Sequence, residues 1–120
     1  MVTPIKHRVR GQITIRGVRP SFQGNEVLYV AVRDTLQHDA DCIELGSIEI
    51  PLRKGQSMPI DYQFSYEPRK AHMKFDELKR IPGGITLCAL IERNGELLYA
   101  NNTDSALAEH VDMEVVNIDD

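Results

Sequence analysis

Alternation of apolar and polar side chains is the dominant pattern along this chain. Residues 8–16 and 58–66 alternate strictly, and residues 111–118 alternate with Val111, Met113 and Val115 on one side and Asp112 and Glu114 on the other. In the first of them the apolar side consists of Val9, Gly11, Ile13 and Ile15. A repeat of two residues is typical of a strand that turns one face to the core and the other to water. We therefore predict a strand with one wet face in each of the three segments.

Two further segments have strand character without this simple alternation. Residues 26–34 contain an almost unbroken apolar run, which is typical of a central strand covered on both faces. In residues 43–52 the apolar positions change from odd to even numbers at Gly46. A β-bulge shifts the phase by one residue in this way, so we predict one bent strand with a bulge at Gly46.

The remaining regular elements are a hairpin and a short helix. Residues 85–93 and 96–101 are apolar runs on either side of Asn94-Gly95, a pair that favours tight hairpin turns because both positions need positive φ. Residues 71–80 show approximate helical spacing over a short length. Seven short strands separated by turns favour a sandwich or a barrel. We predict one all-β domain over residues 1–120, a two-sheet antiparallel β-sandwich of about seven strands with a short helix near residues 71–80.

Length and composition agree with one self-sufficient domain. The chain has 120 residues, 42% of them hydrophobic, which suffices to bury a core without disulfides or metals. Its longest apolar run, residues 27–32, falls far short of the roughly 20 residues of a membrane helix. Residues 1–10 lack the apolar stretch of a secretion signal. The sequence as it stands therefore predicts a cytoplasmic protein, or a periplasmic or outer-membrane-associated one if a signal segment has been removed.

Charge is distributed unevenly along the chain. Residues 1–40 hold six basic and three acidic side chains, whereas residues 81–120 hold one basic and eight acidic ones. Arg8, Arg10 and Arg16 share the polar side of the first strand. They form either a solvated strand face or a basic stripe that contacts an acidic peptide, a lipid headgroup or the acidic last strand. The net charge of −4 disfavours a nucleic-acid partner.

Two groups of polar residues resemble reactive sites, and both are incomplete. They are the run His38, Asp39, Asp41 and Cys42, and the trio Asp104, Ser105 and His110. The run has no second cluster of metal ligands, and the trio has no glycine-framed serine of the hydrolase type. We therefore predict no catalytic residue, no metal and no cofactor, and a protein that is not an enzyme.

Two other sets of residues allow more than one interpretation. Cys42 and Cys88 have apolar neighbours and are predicted to be buried thiols, with a disulfide between them as the alternative. The stripe of Met58, Tyr62, Phe64 and Tyr66 has the spacing of a strand's core face. The alternative for this stripe is the lining of a ligand groove.

Several segments in order resemble the YbaY/YscW family of small lipoproteins, whose YscW-type members act as pilotins for type III secretion secretins. The matching segments include residues 9–13 (VRGQI), 30–34 (VAVRD), 50–52 (IPL), 59–68 (PIDYQFSYEP), 85–91 (ITLCALI) and 94–99 (NGELLY). The resemblance implies a β-sandwich that binds a protein, such as a secretion-system component. Family members carry a secretion signal and a lipidated cysteine, so membrane contact is expected only if such a segment precedes these residues.

The function predicted from these observations is binding. A non-enzymatic or chaperone-like domain would recognise a peptide or protein partner by adding a strand at an exposed sheet edge. The candidate contact residues are Arg8, Arg10, Arg16, Pro59, Asp61 and Gln63. The alternative is a structural protein that forms a homodimer through edge strands.

Overall fold

The described residues form eight strands and very little helix. A computed structural model describes residues 7–17, 21–35, 43–101 and 105–118. The strands in this part of the chain are β1 (Arg8–Ile15), β2 (Glu26–Asp34), β3 (Ile43–Pro51), β4 (Ile60–Ser65), β5 (Ile85–Arg93), β6 (Glu96–Ala100), β7 (Ser105–Ala106) and β8 (Met113–Asn117). A 3₁₀ turn (Pro68–Lys70) and the helix α1 (Phe75–Lys79) lie between β4 and β5.

The strands form one continuous path in the order β3-β2-β5-β6-β8-β1-β4, with β7 added beside β5. The all-β prediction is confirmed. The division into two separate sheets is not confirmed, because the short β6–β8 pairing joins the strands into one path. The pairing of β1 with β8 is parallel, whereas every other pair of described strands is antiparallel.

The sheet curls until its two end strands almost meet. The backbone N–H of Glu67, just after β4, donates to the carbonyl of Leu45 in β3 over 2.8 Å. A Cβ on Gly46 would lie 2.6 Å from the carbonyl oxygen of Ser65, so a side chain at this position would collide with the β4 backbone. Glycine is therefore what allows the two ends of the sheet to approach so closely.

The bulge predicted near Gly46 is present in β3. Val32 of β2 faces Gly46, while the next residue, Arg33, faces Glu44. Leu45 is thus the extra residue in the strand, and its side chain is buried in the core. The bulge bends β3 toward β4 and frees the Leu45 carbonyl to bond there.

The core lies in the concave interior of the curled sheet, and the β2–β5 pair forms its centre. β2 contacts β3 on one side and β5 on the other along almost its whole length. The central position of β2 agrees with the prediction from the apolar run of residues 26–34, but cover on both faces does not: one face is buried, whereas Val27, Tyr29 and Arg33 on the other face are half-buried and only Ala31 is fully buried there. The largest fully buried apolar side chains are Ile13, Leu28, Leu45, Leu78, Leu87 and Ile91.

A buried ion pair anchors the loop that enters β2. The Glu26 carboxylate is fully buried and accepts hydrogen bonds from the backbone N–H groups of Gln23 and Gly24 and from the guanidinium of Arg93 at 2.5 Å. Burial raises the pKa of Glu26, but these hydrogen bonds outweigh it and lower the pKa to about 2. The carboxylate therefore stays charged and fixes the loop against the β2–β5 pair.

The helix is shorter than residues 71–80. It has only five residues, and Lys74, at its N-cap, supplies no side-chain hydrogen bond. The segment is held instead by buried Leu78 and by Asp34, whose carboxylate accepts the backbone N–H of His72 at 2.9 Å. No helix in the described residues is long and apolar enough to span a bilayer.

Candidate partner-binding site

The outward face of the β1–β4 pair brings together four of the sequence-predicted residues. Arg8 and Arg10 of β1 are exposed on this face, and Gln63 of β4 stands opposite Arg10. Gln12 follows on β1 and donates its side-chain N–H to Asp61 of β4 at 3.0 Å. The antiparallel register thus forms one polar surface from residues about fifty positions apart in sequence.

The other two predicted contact residues lie elsewhere on β1 and β4. Arg16 is beyond the far end of β1, where its Nε donates to Glu114 of β8 at 2.6 Å. Contact with the acidic last strand was one interpretation of the basic stripe, and it holds for Arg16. Pro59 is exposed just before β4, at the end remote from Arg8. Neither residue joins the cluster formed by Arg8 and Arg10.

A groove separates the free edges of β3 and β4 beyond the contact at Gly46. Within the described residues, β3 pairs only with β2 and β4 only with β1, so each strand has one unpaired edge. Both strands line the same groove of about 570 Å³. We call this the edge groove, and it is lined by Arg10, Gly11, Gln12, Ile48, Ile50, Asp61, Tyr62, Gln63 and His110.

In one wall of the edge groove, Tyr62 and Gly11 pack tightly against the backbone of Val111. The Tyr62 hydroxyl donates to the carbonyl of Val111 at 2.5 Å. A Cβ on Gly11 would lie 1.8 Å from the same carbonyl oxygen, so only glycine fits there. Burial, with the negative charge of Asp112, raises the pKa of Tyr62 to about 12. Tyr62 is therefore a neutral hydrogen-bond donor that supports the wall of the groove.

A second cavity of about 580 Å³ covers the start of β1 on its outward face. We call it the basic cleft, and it is lined by Arg8, Arg10, Gln63, Tyr66, Lys79, Leu107, Ala108 and Glu109. Arg8 and Arg10 form no ion pair with any residue of the described part of the chain. Lys79 comes from α1, and its ammonium lies 5.6 Å from the centre of the Phe75 ring. Three cations and one carboxylate thus line one cavity.

The aromatic stripe of β4 divides between core and cavity lining. Tyr62 and Phe64 are buried in the hydrophobic core, whereas Met58 and Tyr66 are half-buried and pack against it. Tyr66 also lines the basic cleft, and burial raises the pKa of its hydroxyl. The stripe therefore packs in or against the core, and two of its members, Tyr62 and Tyr66, also line a cavity.

Sequence reasoning did not identify the lining residues that other elements contribute to these two cavities. Ile48 and Ile50 belong to β3, and Lys79 is the last residue of α1. The phase change at Gly46 indicated a bend but did not indicate which strand β3 would face. Lys79 is one of several charged residues in its segment, and no pattern distinguishes it.

Of the two groups that resembled reactive sites, the structure describes only Ser105 and His110, and His110 lines the edge groove. His110 lies 2.9 Å from a carboxylate oxygen of Asp112, which is not part of the sequence trio. The run from His38 to Cys42 and Asp104 lie outside the described residues. In the described ranges no three His, Cys, Asp or Glu side chains are grouped as metal ligands. Cys88 is half-buried on β5 and not fully buried as predicted, and the alternative of a disulfide with Cys42 stays untested because Cys42 lies outside the described residues.

Fold and cavities together describe an all-β protein with an open groove between its terminal sheet edges. No family model matches the chain, and no curated protein matches it by sequence. Among solved structures, the chain is similar to an alternative pilotin from the type II secretion system of Vibrio cholerae. The TM-score is 0.70 with 19% sequence identity, over 92% of this chain and 96% of that one. The chain therefore has a pilotin-like fold, while membership of the YbaY/YscW family stays a prediction.

Proposed function

We propose that this protein is a non-enzymatic binding protein that takes an extended segment of a protein partner into the edge groove. The observation that supports this proposal best is the pair of unpaired strand edges, β3 and β4, which line one groove. A segment lying between them would add a strand to the sheet, and its backbone would satisfy N–H and C=O groups of both edges.

The dimensions and lining of the edge groove suit a short strand. Its volume of about 570 Å³ is within the range of small-ligand sites. Ile48 and Ile50 of β3 line it, and the strand continues from Ser47 to Pro51, so an added strand that pairs with these five residues would span roughly 16 Å. Half-buried Ile48 and Ile50 would contact alternate side chains of the segment, which gives a basis for selectivity.

The class of partner is inferred from two similarities, one of fold and one of sequence. The fold is shared with a type II secretion pilotin, and the sequence resembles YscW-type pilotins. We propose a secretion-system protein as the partner, with an outer-membrane secretin subunit as the first candidate. A pilotin-like role requires affinity for a protein segment and no chemistry.

The test is to map the binding surface on isotope-labelled protein by NMR. Peptides that tile candidate secretin subunits are titrated in, and amide shifts are followed together with hydrogen exchange. We expect shifts and new exchange protection along residues 47–51 and 60–64, because these edges would gain hydrogen bonds. Shifts confined to the outward face of the β2–β5 pair would contradict the proposal.

A matched pair of β3 variants makes the test specific. Ile48→Lys places a charge in the half-buried wall of the edge groove and should abolish peptide binding. Glu49→Lys adds the same side chain on the next residue, which is exposed outside the groove lining, and should bind normally. Both variants must keep the wild-type circular dichroism spectrum for the comparison to count.

The same edges also favour a second candidate, a homodimer joined through β3 and β4. Light scattering over a range of concentrations distinguishes a homodimer from a monomer that binds a different protein. A mass that doubles with concentration, and that Ile48→Lys returns to the monomer, would support self-association. A constant monomer mass would leave the partner-binding proposal as the remaining role for the edges.

A further inference from the structure

The basic cleft contains cations that have no ion-pair partner in the described residues, and it lies next to the edge groove. Arg8 and Arg10 stand two residues apart on the outward face of β1, and Lys79 reaches the same cavity from α1. The one carboxylate in the lining is Glu109, so the cavity has an excess of positive charge. Neither arginine has an ion-pair partner in the described ranges, although the chain as a whole carries a net charge of −4.

We infer that the basic cleft binds carboxylate groups of acidic residues that flank the segment held in the edge groove. This inference rests on the proposed function, since the carboxylates would belong to the same partner chain. Arg10 and Gln63 line both cavities, so an extended ligand leaving the groove at these residues enters the cleft directly.

The chemistry of the lining suits carboxylates. Two arginine forks present paired N–H donors that match the two oxygens of a carboxylate, and Lys79 adds a third positive charge. Leu107 and Ala108 form an apolar part of the wall, which lowers the local dielectric constant and strengthens the attraction.

Charge around the cleft favours an acidic peptide over a lipid surface. Asp112 is exposed just before β8, beside Gln12 and His110 and so near Arg10. Its negative charge would disfavour a broad anionic membrane surface more than a single acidic chain seated in the cleft. The cations lie around a concave cleft and not on a wide basic face, an arrangement that fits one acidic chain better than a membrane surface.

The test titrates a dicarboxylate probe, the capped dipeptide of two aspartates, into labelled protein and follows the arginine side-chain and backbone resonances. The capped dipeptide of two asparagines is the uncharged control. We expect saturable shifts at Arg8 and Arg10 with the aspartate probe alone. Arg10→Gln and Lys79→Gln should each weaken binding about three- to tenfold, and added salt should weaken it further.

Arg16→Gln is the matched control variant, since Arg16 is on the same side of β1 but paired with Glu114 outside the cleft. Its affinity for the probe should equal that of the wild type. Equal binding of both dipeptides, or an equal loss in Arg16→Gln, would overturn the inference. Binding of phosphatidylglycerol vesicles that depends on Arg10 and Lys79, with no dipeptide binding, would overturn it in favour of lipid.

Failure of this inference is distinguishable from failure of the proposed function. Ile48→Lys should abolish binding of the extended segment but leave the dicarboxylate probe unaffected. Suppose that the segment binds Arg10→Gln and Lys79→Gln as tightly as the wild type, and that the dicarboxylate probe causes no shifts. Binding in the edge groove would then stand, and the carboxylate site would be wrong.

Discussion

The centre of the sheet and its two ends differ in how completely their backbone is paired. β2 has a strand on each side along almost its whole length, and the side chains on its inner face are buried. In the described residues β3 and β4 each pair with one strand, and they approach each other where Leu45 bonds to Glu67. The centre therefore supplies stability, while the described end strands each keep one edge without a partner strand.

The largest expected effect is from a cavity in the centre. Leu28→Ala removes a fully buried side chain of β2 and should lower the free energy of unfolding by about 2–5 kcal/mol. Ile48→Ala, in the half-buried wall of the edge groove, should cost about 1 kcal/mol, because its side chain is already partly in water. Urea unfolding of both variants measures the difference. Equal losses would mean that the edge is packed as firmly as the centre.

The next effect concerns the buried charge at the start of β2. Arg93→Met should cost about 2–3 kcal/mol at neutral pH, because it leaves the buried Glu26 carboxylate without its cation. The folded-state pKa of Glu26 is lowered from 4.5 to about 2, so its stabilising contribution is present above about pH 4.5 and is lost as the pH falls to about 2. Unfolding measured from pH 2 to 7 should show this loss in the wild type. The double variant Glu26→Gln/Arg93→Met should lack it, and an unchanged slope would contradict the assignment.

A smaller effect is expected at the wall of the edge groove. Tyr62→Phe removes the hydrogen bond to Val111 and should cost about 1–2 kcal/mol. Because the folded protein keeps Tyr62 protonated with a pKa of about 12, the stabilisation is present below about pH 10 and is lost as the pH rises to 12. Phenolate absorbance should show late titration from Tyr62 and from Tyr66, whose pKa burial also raises, and the contribution of Tyr62 should disappear in Tyr62→Phe. The control Tyr29→Phe should keep that late titration.

Local pattern determined which residues are strands. The alternation of β1 and β4 and the apolar run of β2 predicted their bounds to within two residues. Asn94 and Gly95 have φ values of 52° and 84°, as the hairpin prediction required. These features depend on neighbours in sequence, so the sequence contains the necessary signal. The two-residue strand β7 was missed, because so short a pairing has no repeat to detect.

Assembly of the site depended on contacts between residues distant in sequence. The choice of Arg8, Arg10, Asp61 and Gln63 came from the polar faces of two strands, and the register of β1 against β4 is what places them side by side.

By itself, the sequence determined an all-β chain with a bend at Gly46 and a polar stripe on its first strand, since period and glycine chemistry act locally. Only the tertiary structure decided that β3 would curl toward β4, that β8 would run parallel to β1, and that Lys79 would join the arginines. Strand order and curvature are chosen by how the whole core packs, and many orders are compatible with the same alternation of side chains.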